Sequence, residues 1–264
     1  MKSILITGAC GGMGRATAEL FAKRGFRVFA LDKKPCEAKE NIVFIETDIT
    51  SEESVISAYD RVKRETDGLF AVLHFAGIYM LDSLVEMKPD DFRRIFDVNL
   101  YGAYLVNKTF LPLLKSGSRI LITTSELAPL DPLPYTGIYA VTKSALDKYA
   151  YSLRMELQLL GISVSVLRAG AVDTGMLGAS TDALERFCAK TELYTCNAER
   201  FKTIVERVEA RCVPPERIAE KAYRIIKKKR ASFAYKINRN PLLLLLNLLP
   251  KKVQLFAIRT ILKK

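Results

Sequence analysis

Short apolar runs alternate along the chain with longer stretches whose apolar positions recur at helical spacing. Strands buried on both faces read as continuous apolar runs, whereas covering helices bury one stripe, so the alternation predicts a mostly parallel sheet with helices on both sides. Six strands are expected at Ser3–Thr7, Arg27–Leu31, Ile42–Glu46, Leu69–His74, Arg119–Thr123 and Ser163–Leu167, with a seventh near Ser232–Lys236. Helices fit between them. One starts at Gly12, and another is opened by Thr50 with Glu53 three residues on, the spacing of a capping box. Pro89 suits the first turn of a third, which runs to about Lys115. A fourth covers roughly Ile138–Leu160 and is closed by Gly161. The fold class is therefore α/β, a doubly wound, mostly parallel seven-stranded sheet in a single domain over residues 1–240.

Two segments depart from this rhythm. Residues 176–213 are longer than a usual connection and are expected to form a lid over a substrate site. Residues 241–264 form a basic amphipathic tail: Leu242–Leu249 is broken only by Asn247, and in Val253–Lys264 the charges Arg259 and Lys263 share a stripe with Lys252. The first run is far short of the ~20 residues that cross a bilayer. The tail thus reads either as an interfacial element at a membrane or as one docked on its own domain or on a partner subunit.

Charge sharpens that picture. The net charge of +12 suggests nucleic acid at first, but 13 Lys and Arg and no acidic residue follow Glu220. Upstream, 28 basic residues face 29 acidic ones, so the body has no basic groove for nucleic acid. Apolar residues at 49% and charged residues at 27% are ordinary for a globular protein. The first strand begins almost at Met1, leaving no room for a signal peptide, so a cytoplasmic location is expected, peripheral at the membrane if the tail binds lipid. Cys10, Cys36, Cys188, Cys196 and Cys212 form no CxxC pair and, with the single histidine His74, no metal-ligand spacing. Free thiols are expected, and Cys10, near a helix N-terminus, would be the one with a stabilised thiolate.

Two motifs carry chemistry. The first is Thr7-Gly8-Ala9-Cys10-Gly11-Gly12-Met13-Gly14, set between a strand and a helix. Its glycines let backbone approach a pyrophosphate, and the helix N-terminus supplies free N–H groups and a positive dipole, a dinucleotide site on a Rossmann-type sheet. Asp32, ending the next strand, would accept from the adenosine ribose hydroxyls. It favours NAD, while Lys33 and Lys34 leave NADP open. The second motif is Tyr139-Ala140-Val141-Thr142-Lys143, a phenol and an ammonium on one helix face. A phenol of pKa near 10 is a poor base at neutral pH, and a neighbouring cation would lower it.

Together these motifs resemble the short-chain dehydrogenase/reductase family, in its TGxxxGxG and YxxxK subgroup of hydroxysteroid- and retinol-dehydrogenase-like members. The resemblance covers about residues 3–175. It implies an enzyme that moves a hydride between NAD(P)(H) and the CH–OH or carbonyl carbon of an alcohol or ketone. Tyr139 would be the general acid/base, Lys143 would lower its pKa and hold the nicotinamide ribose, Ser125 would polarise the substrate oxygen, and Asn99 would hold a proton-relaying water. Thr124 competes for the serine's role. The cofactor would be held by Thr7, Gly8, Gly12, Met13, Gly14, Asp32, Lys33, Asp48, Ile49, Ala76, Gly77, Tyr139, Lys143, Val172 and Thr174. Assembly as a homodimer or homotetramer is expected.

Two positions depart from the family pattern. His74-Phe75-Ala76-Gly77 stands where NNAG is usual, and a core role for His74 is the expectation. Ala169-Gly170 replaces proline–glycine, which would loosen that turn. Leu127, Tyr135 and Met176 are the expected substrate contacts, within an apolar set that adds Leu130, Leu133, Leu177, Phe187, Tyr194 and Phe201. With that apolar set, the resemblance to hydroxysteroid- and retinol-dehydrogenase-like members implies a hydrophobic, steroid-, retinoid- or lipid-like substrate. The rivals are a reductase of small carbonyl metabolites and a non-catalytic nucleotide sensor or scaffold.

Overall fold

Strand β1, Lys2–Thr7, is buried on both faces: Ile4, Leu5 and Ile6 in succession are wholly inaccessible. Such a strand must lie inside a sheet, and it does. The computed structural model describes residues 1–37, 39–208 and 212–263, with side chains for all of these except 176–181 and 206–208. Among them β2 (Phe26–Asp32), β3 (Ile42–Glu46), β4 (Leu69–His74), β5 (Leu114–Ser125), β6 (Ser163–Ala169) and β7 (Ala234–Ile237) join β1 in the order β3-β2-β1-β4-β5-β6-β7, every pair parallel. The direction of winding reverses between β1 and β4, where Thr7 stands beside His74. At such a switch point a crevice opens beyond the carboxyl ends of the strands.

Helices cover both faces. α1 (Gly12–Lys23) buries Gly14, Thr17, Ala18 and Phe21, one stripe at helical period, and packs beside α8 (Pro215–Lys227). The opposite core is closed by α2 (Glu52–Lys63), α4 (Gly102–Phe110) and α5 (Gly137–Leu157). Between β6 and α8 lie α6 (Gly175–Lys190) and α7 (Thr195–Val208).

Local chemistry moves several expected boundaries. Ser51, not Thr50, caps α2 by accepting the Ser54 N–H, because the Asp48 carboxylate has already captured the Thr50 N–H and hydroxyl. The third expected helix is α3 (Pro89–Phe96), a π turn at Asp97–Tyr101, then α4 and a 3₁₀ turn at Leu111–Leu113. It stops short of Lys115 because Pro112 lacks the N–H needed to continue. β5 therefore starts at Leu114, with a register shift against β4 between Leu69 and Ala71. α5 ends in a 3₁₀ turn at Gln158–Leu160, closed by left-handed Gly161.

The basic tail folds as α9 (Pro241–Leu248) and α10 (Lys251–Leu262). One face docks on the rest of the chain: Ile258 and Leu262 join an apolar cluster with Ala198 and Phe201 of α7. Asn197 and Arg200 donate to the carbonyls of Leu262 and Lys263 at 2.6 and 2.7 Å. Asp131 donates its N–H to Asn247 at 2.6 Å and pairs with Lys251. No helix among the described residues is long and apolar enough to cross a membrane. Lys264 and residues 209–211 lie outside the described residues.

Candidate active site

Most residues expected to touch a dinucleotide lie just beyond the ends of strands, while Tyr139 and Lys143 stand on α5. After β1 the chain turns through Gly8 (φ 65°) into α1, and the N-terminus of that helix carries neither a side-chain cap nor an acidic residue in its first turn. A Cβ on Gly14 would stand 2.0 Å from the Gly8 carbonyl oxygen, and one on Gly12 would stand 2.5 Å from Cγ2 of Thr174. Helix and loop thus touch at backbone distance, and Thr174, from the far side of the crevice, closes over Gly12. The Thr7 hydroxyl accepts the Ala76 N–H at 3.5 Å, joining the β1 and β4 loops. Met13 packs partly buried against the core beneath, and its carbonyl accepts the Thr17 hydroxyl at 2.7 Å. Beyond β6, Val172 bridges to Val213, so both ends of the α6–α7 excursion meet beside this loop.

Asp32 ends β2 with one carboxylate oxygen on the Cys10 N–H (2.9 Å) and the other on the Lys34 N–H (3.0 Å). Each oxygen keeps a lone pair for a further donor. Lys33 is bound to Asp48 at 2.6 Å, and that lysine, above all, holds the Asp48 carboxyl down at about 2. Ile49 is buried against Gly102. The expectation of free thiols fails at this place: Cys10 and Cys36 form a disulfide, with Cα atoms 5.5 Å apart. β1 and β2 are adjacent parallel strands, so the loops beyond their carboxyl ends lie side by side even though 26 residues separate the cysteines. Cys188, Cys196 and Cys212 are free.

The catalytic candidates converge on the other side of the switch point. Asn99 projects from the π turn; its Oδ1 accepts the Ile78 N–H (2.8 Å), while its Nδ2 donates to the Ile78 carbonyl (3.0 Å) and the Thr142 hydroxyl (3.1 Å). Asn99 Oδ1 and Lys143 Nζ both crowd Gly77, at 3.1 and 3.3 Å from where its Cβ would be. Lys143 Nζ lies 5.7 Å from the Tyr139 ring centre, and the Tyr139 phenol is hydrogen-bonded to Ser125. Thr124 is excluded from the serine's place because its hydroxyl points into the core, on Asp147 at 3.3 Å.

The expected depression of the Tyr139 pKa is reversed here. Burial pushes the phenol up, the Tyr79 ring adding to it, whereas burial pushes the Lys143 ammonium down to about 8. The site desolvates both groups, which disfavours the charged form of each, although Lys143 still carries its proton near neutral pH. Tyr139 accordingly stands as a proton donor.

His74 takes the core role expected of it: its Nε2 meets Asn107 Oδ1 at 2.9 Å, and burial pushes its pKa down to about 4. At the Ala169-Gly170 turn the Glu126 N–H donates to the Ala169 carbonyl and the Gly170 N–H to the Ile237 carbonyl, at 2.9 and 3.0 Å.

Tyr139 opens toward an aromatic wall. Tyr135, held at φ 65°, packs on Phe187, Tyr194 and Phe201 with ring centres 4.6, 5.4 and 5.4 Å away. Leu133 and Leu81 join the same cluster; Leu127 and Leu130 are half-buried on the loop after β5. The side chains of Met176 and Leu177 lie outside the described residues. Sequence reasoning missed Tyr79, whose ring lies 4.9 Å from that of Tyr139 and links it to the aromatic cluster. It also missed Thr142, although that residue's place one turn after Tyr139 was a usable signal.

Comparison with known proteins agrees with this fold. The profile described as short chain dehydrogenase matches residues 2–185. Estradiol 17-beta-dehydrogenase 2 of Mus musculus is 34% identical over 190 residues, covering 67% of this chain and 50% of that protein, so the chain spans half the length of that relative. The 3-ketodihydrosphingosine reductase of Bacteroides thetaiotaomicron is 24% identical over 89% of this chain and 87% of its own. A crystal structure of a short chain dehydrogenase family protein from Francisella tularensis superposes with a TM-score of 0.75 at 22% identity, covering 90% of this chain and 97% of that one. This chain belongs to the short-chain dehydrogenase family.

Proposed function

We propose that this protein is an NAD(P)-dependent oxidoreductase acting on the CH–OH or carbonyl group of an apolar alcohol or ketone. The observation that carries the reading is the meeting of Asn99, Ser125, Tyr139 and Lys143 beside a glycine cradle and below an aromatic wall. The uncapped first turn of α1 and the side-chain-free contacts at Gly12 and Gly14 fit a pyrophosphate. Asp32 offers its remaining lone pairs to ribose hydroxyls. Lys33 is already paired with Asp48, which leaves Lys34 to attract a 2′-phosphate and favours NAD over NADP. The nicotinamide ring, when bound, supplies or takes the hydride.

The chain's own groups handle orientation and the proton. Ser125 donates to the substrate oxygen, and the neutral Tyr139 phenol gives that oxygen its proton in ketone reduction or takes it back in alcohol oxidation. Lys143 holds the ribose and, as an ammonium, steadies the phenolate left behind. Asn99 is fixed by Ile78 and Thr142 and keeps the polar end of the site in register. Helices α6 and α7 act as the lid, and Tyr79, Tyr135 and Phe187 exclude water from the reacting carbon. Two relatives whose names carry estradiol and ketodihydrosphingosine, both largely hydrocarbon, support an apolar substrate. Peripheral contact with a membrane and assembly as a dimer or tetramer belong to the same reading.

A panel of apolar ketones and alcohols, offered with NADH, NADPH or the oxidised cofactors, tests it by nicotinamide absorbance. Turnover with at least one pair, lost by ~10²–10⁴-fold in Tyr139→Phe, is the expected result. A Tyr139→Phe variant that keeps more than half of the rate overturns the role given to Tyr139.

A further inference from the structure

We propose that α9 and α10 are the face by which this protein docks on an anionic lipid bilayer. The two helices have one occupied face and one open one. The occupied face clamps the mouth of the site: Ile258 and Leu262 sit in the cluster under α7, and Asn247 and Lys251 hold Asp131 on the loop that leads to Tyr135. The open face is apolar to a degree rare on a water-facing surface. Leu245, Leu248, Leu255 and Phe256 are 60, 81, 68 and 70% exposed, and Leu242 and Ile261 are each 56% exposed. Leu242, Leu245 and Leu248 recur every third residue, so they line one side of α9.

The charge around that face selects the partner. Lys252, Arg259 and Lys263 flank it, and no acidic residue follows Glu220. A second copy of the same face would set these cations against one another with no carboxylate of the segment to offset them. A bilayer with anionic headgroups complements both features at once, taking the leucines and Phe256 into the headgroup boundary and the cations at the phosphate level. Neither helix is long enough to cross, so the contact is peripheral. Because the other face grips α7 and Asp131, docking brings the α6–α7 excursion and the Tyr135 aromatic wall to the lipid. Binding needs no turnover; only its use, delivery of a substrate dissolved in lipid, rests on the function proposed above.

Sedimentation of the full chain with phosphatidylcholine vesicles, with and without phosphatidylserine, tests the proposal without cofactor or substrate. Binding should require phosphatidylserine, and fall as salt screens the attraction. Leu245→Glu/Phe256→Glu, at two exposed positions, should abolish it. Lys252→Glu/Arg259→Glu should lower partitioning by at least about tenfold, since each basic residue near such a surface adds about fivefold. Unchanged thermal midpoints would show both variants folded, and the charge-reversed pair keeps the test open if the first variant does not fold. The proposal is overturned by a wild type that stays in the supernatant at low salt, by equal binding to neutral vesicles, or by variants that bind as the wild type does. It is also overturned if the wild type sediments as a dimer that Leu245→Glu/Phe256→Glu dissociates, with no vesicle binding. Vesicle binding by a protein with no turnover overturns only the enzymatic reading, and turnover without vesicle binding only this one.

Discussion

Replacing Lys143 with methionine should make the protein more stable near neutral pH while removing its activity. Lys143 is 5% exposed, no acidic side chain among the described residues pairs with it, and burial brings its pKa from 10.5 to about 8. A folded value below the unfolded one means that the unfolded chain binds the proton more tightly. The buried ammonium therefore costs stability in full below about pH 8, and the cost fades as pH rises toward the unfolded value. The gap corresponds to about 3 kcal/mol at most. Methionine keeps the unbranched shape without the charge. At about 2–4 °C per kcal/mol for a domain of this size, Lys143→Met should melt several degrees above the wild type near pH 7. That advantage should shrink steadily toward about pH 10. The chain has no tryptophan, so unfolding is followed by far-UV circular dichroism. Ketone reduction should fall by ~10²-fold or more. A midpoint at or below the wild type's near neutral pH, or an advantage that does not narrow with rising pH, would refute the desolvation argument.

Asp32→Ala should shift cofactor preference from NADH toward NADPH, since the carboxylate that repels a 2′-phosphate is gone while Lys34 remains; a wild type already strongly selective for NADPH would contradict the role of Asp32. Gly14→Ala should weaken dinucleotide binding and lower stability by about 1–3 kcal/mol, because its Cβ meets the Gly8 carbonyl oxygen at 2.0 Å and that oxygen is backbone, which cannot swing aside. Calorimetric titration and melting read both effects, and an unchanged Kd would count against the cradle. Cys36→Ser should cost about 2–4 kcal/mol under non-reducing conditions, and a thiol reductant should bring the wild type to the same midpoint. Iodoacetamide should label Cys10 only after reduction, and labelling without it would contradict the disulfide.

The fold was legible because its causes are local. Continuous runs such as Ile4–Ile6 cannot be satisfied except inside a sheet, and the stripe Gly14, Thr17, Ala18, Phe21 cannot be satisfied except against one. The glycine loop and the Tyr139–Lys143 pair were legible for the same reason, since each is a spacing set by one turn or one helix. What depended on distant partners was not. The Cys10–Cys36 bond exists only because β1 and β2 lie side by side, and Tyr79 reaches Tyr139 only because the β4 loop folds over α5. The string of letters favoured Ser125 but left Thr124 as its competitor; the alternation of a strand sends Thr124 toward Asp147 and Ser125 toward Tyr139. The direction of the Tyr139 shift was likewise a tertiary decision. Proximity of a cation predicts a lowered pKa, but how much water the fold removes from both groups determines the sign, and burial belongs to no residue alone. The charge and apolar content of residues 241–264 are sequence properties, while the assignment of one face to α7 and the other to solvent was made by packing.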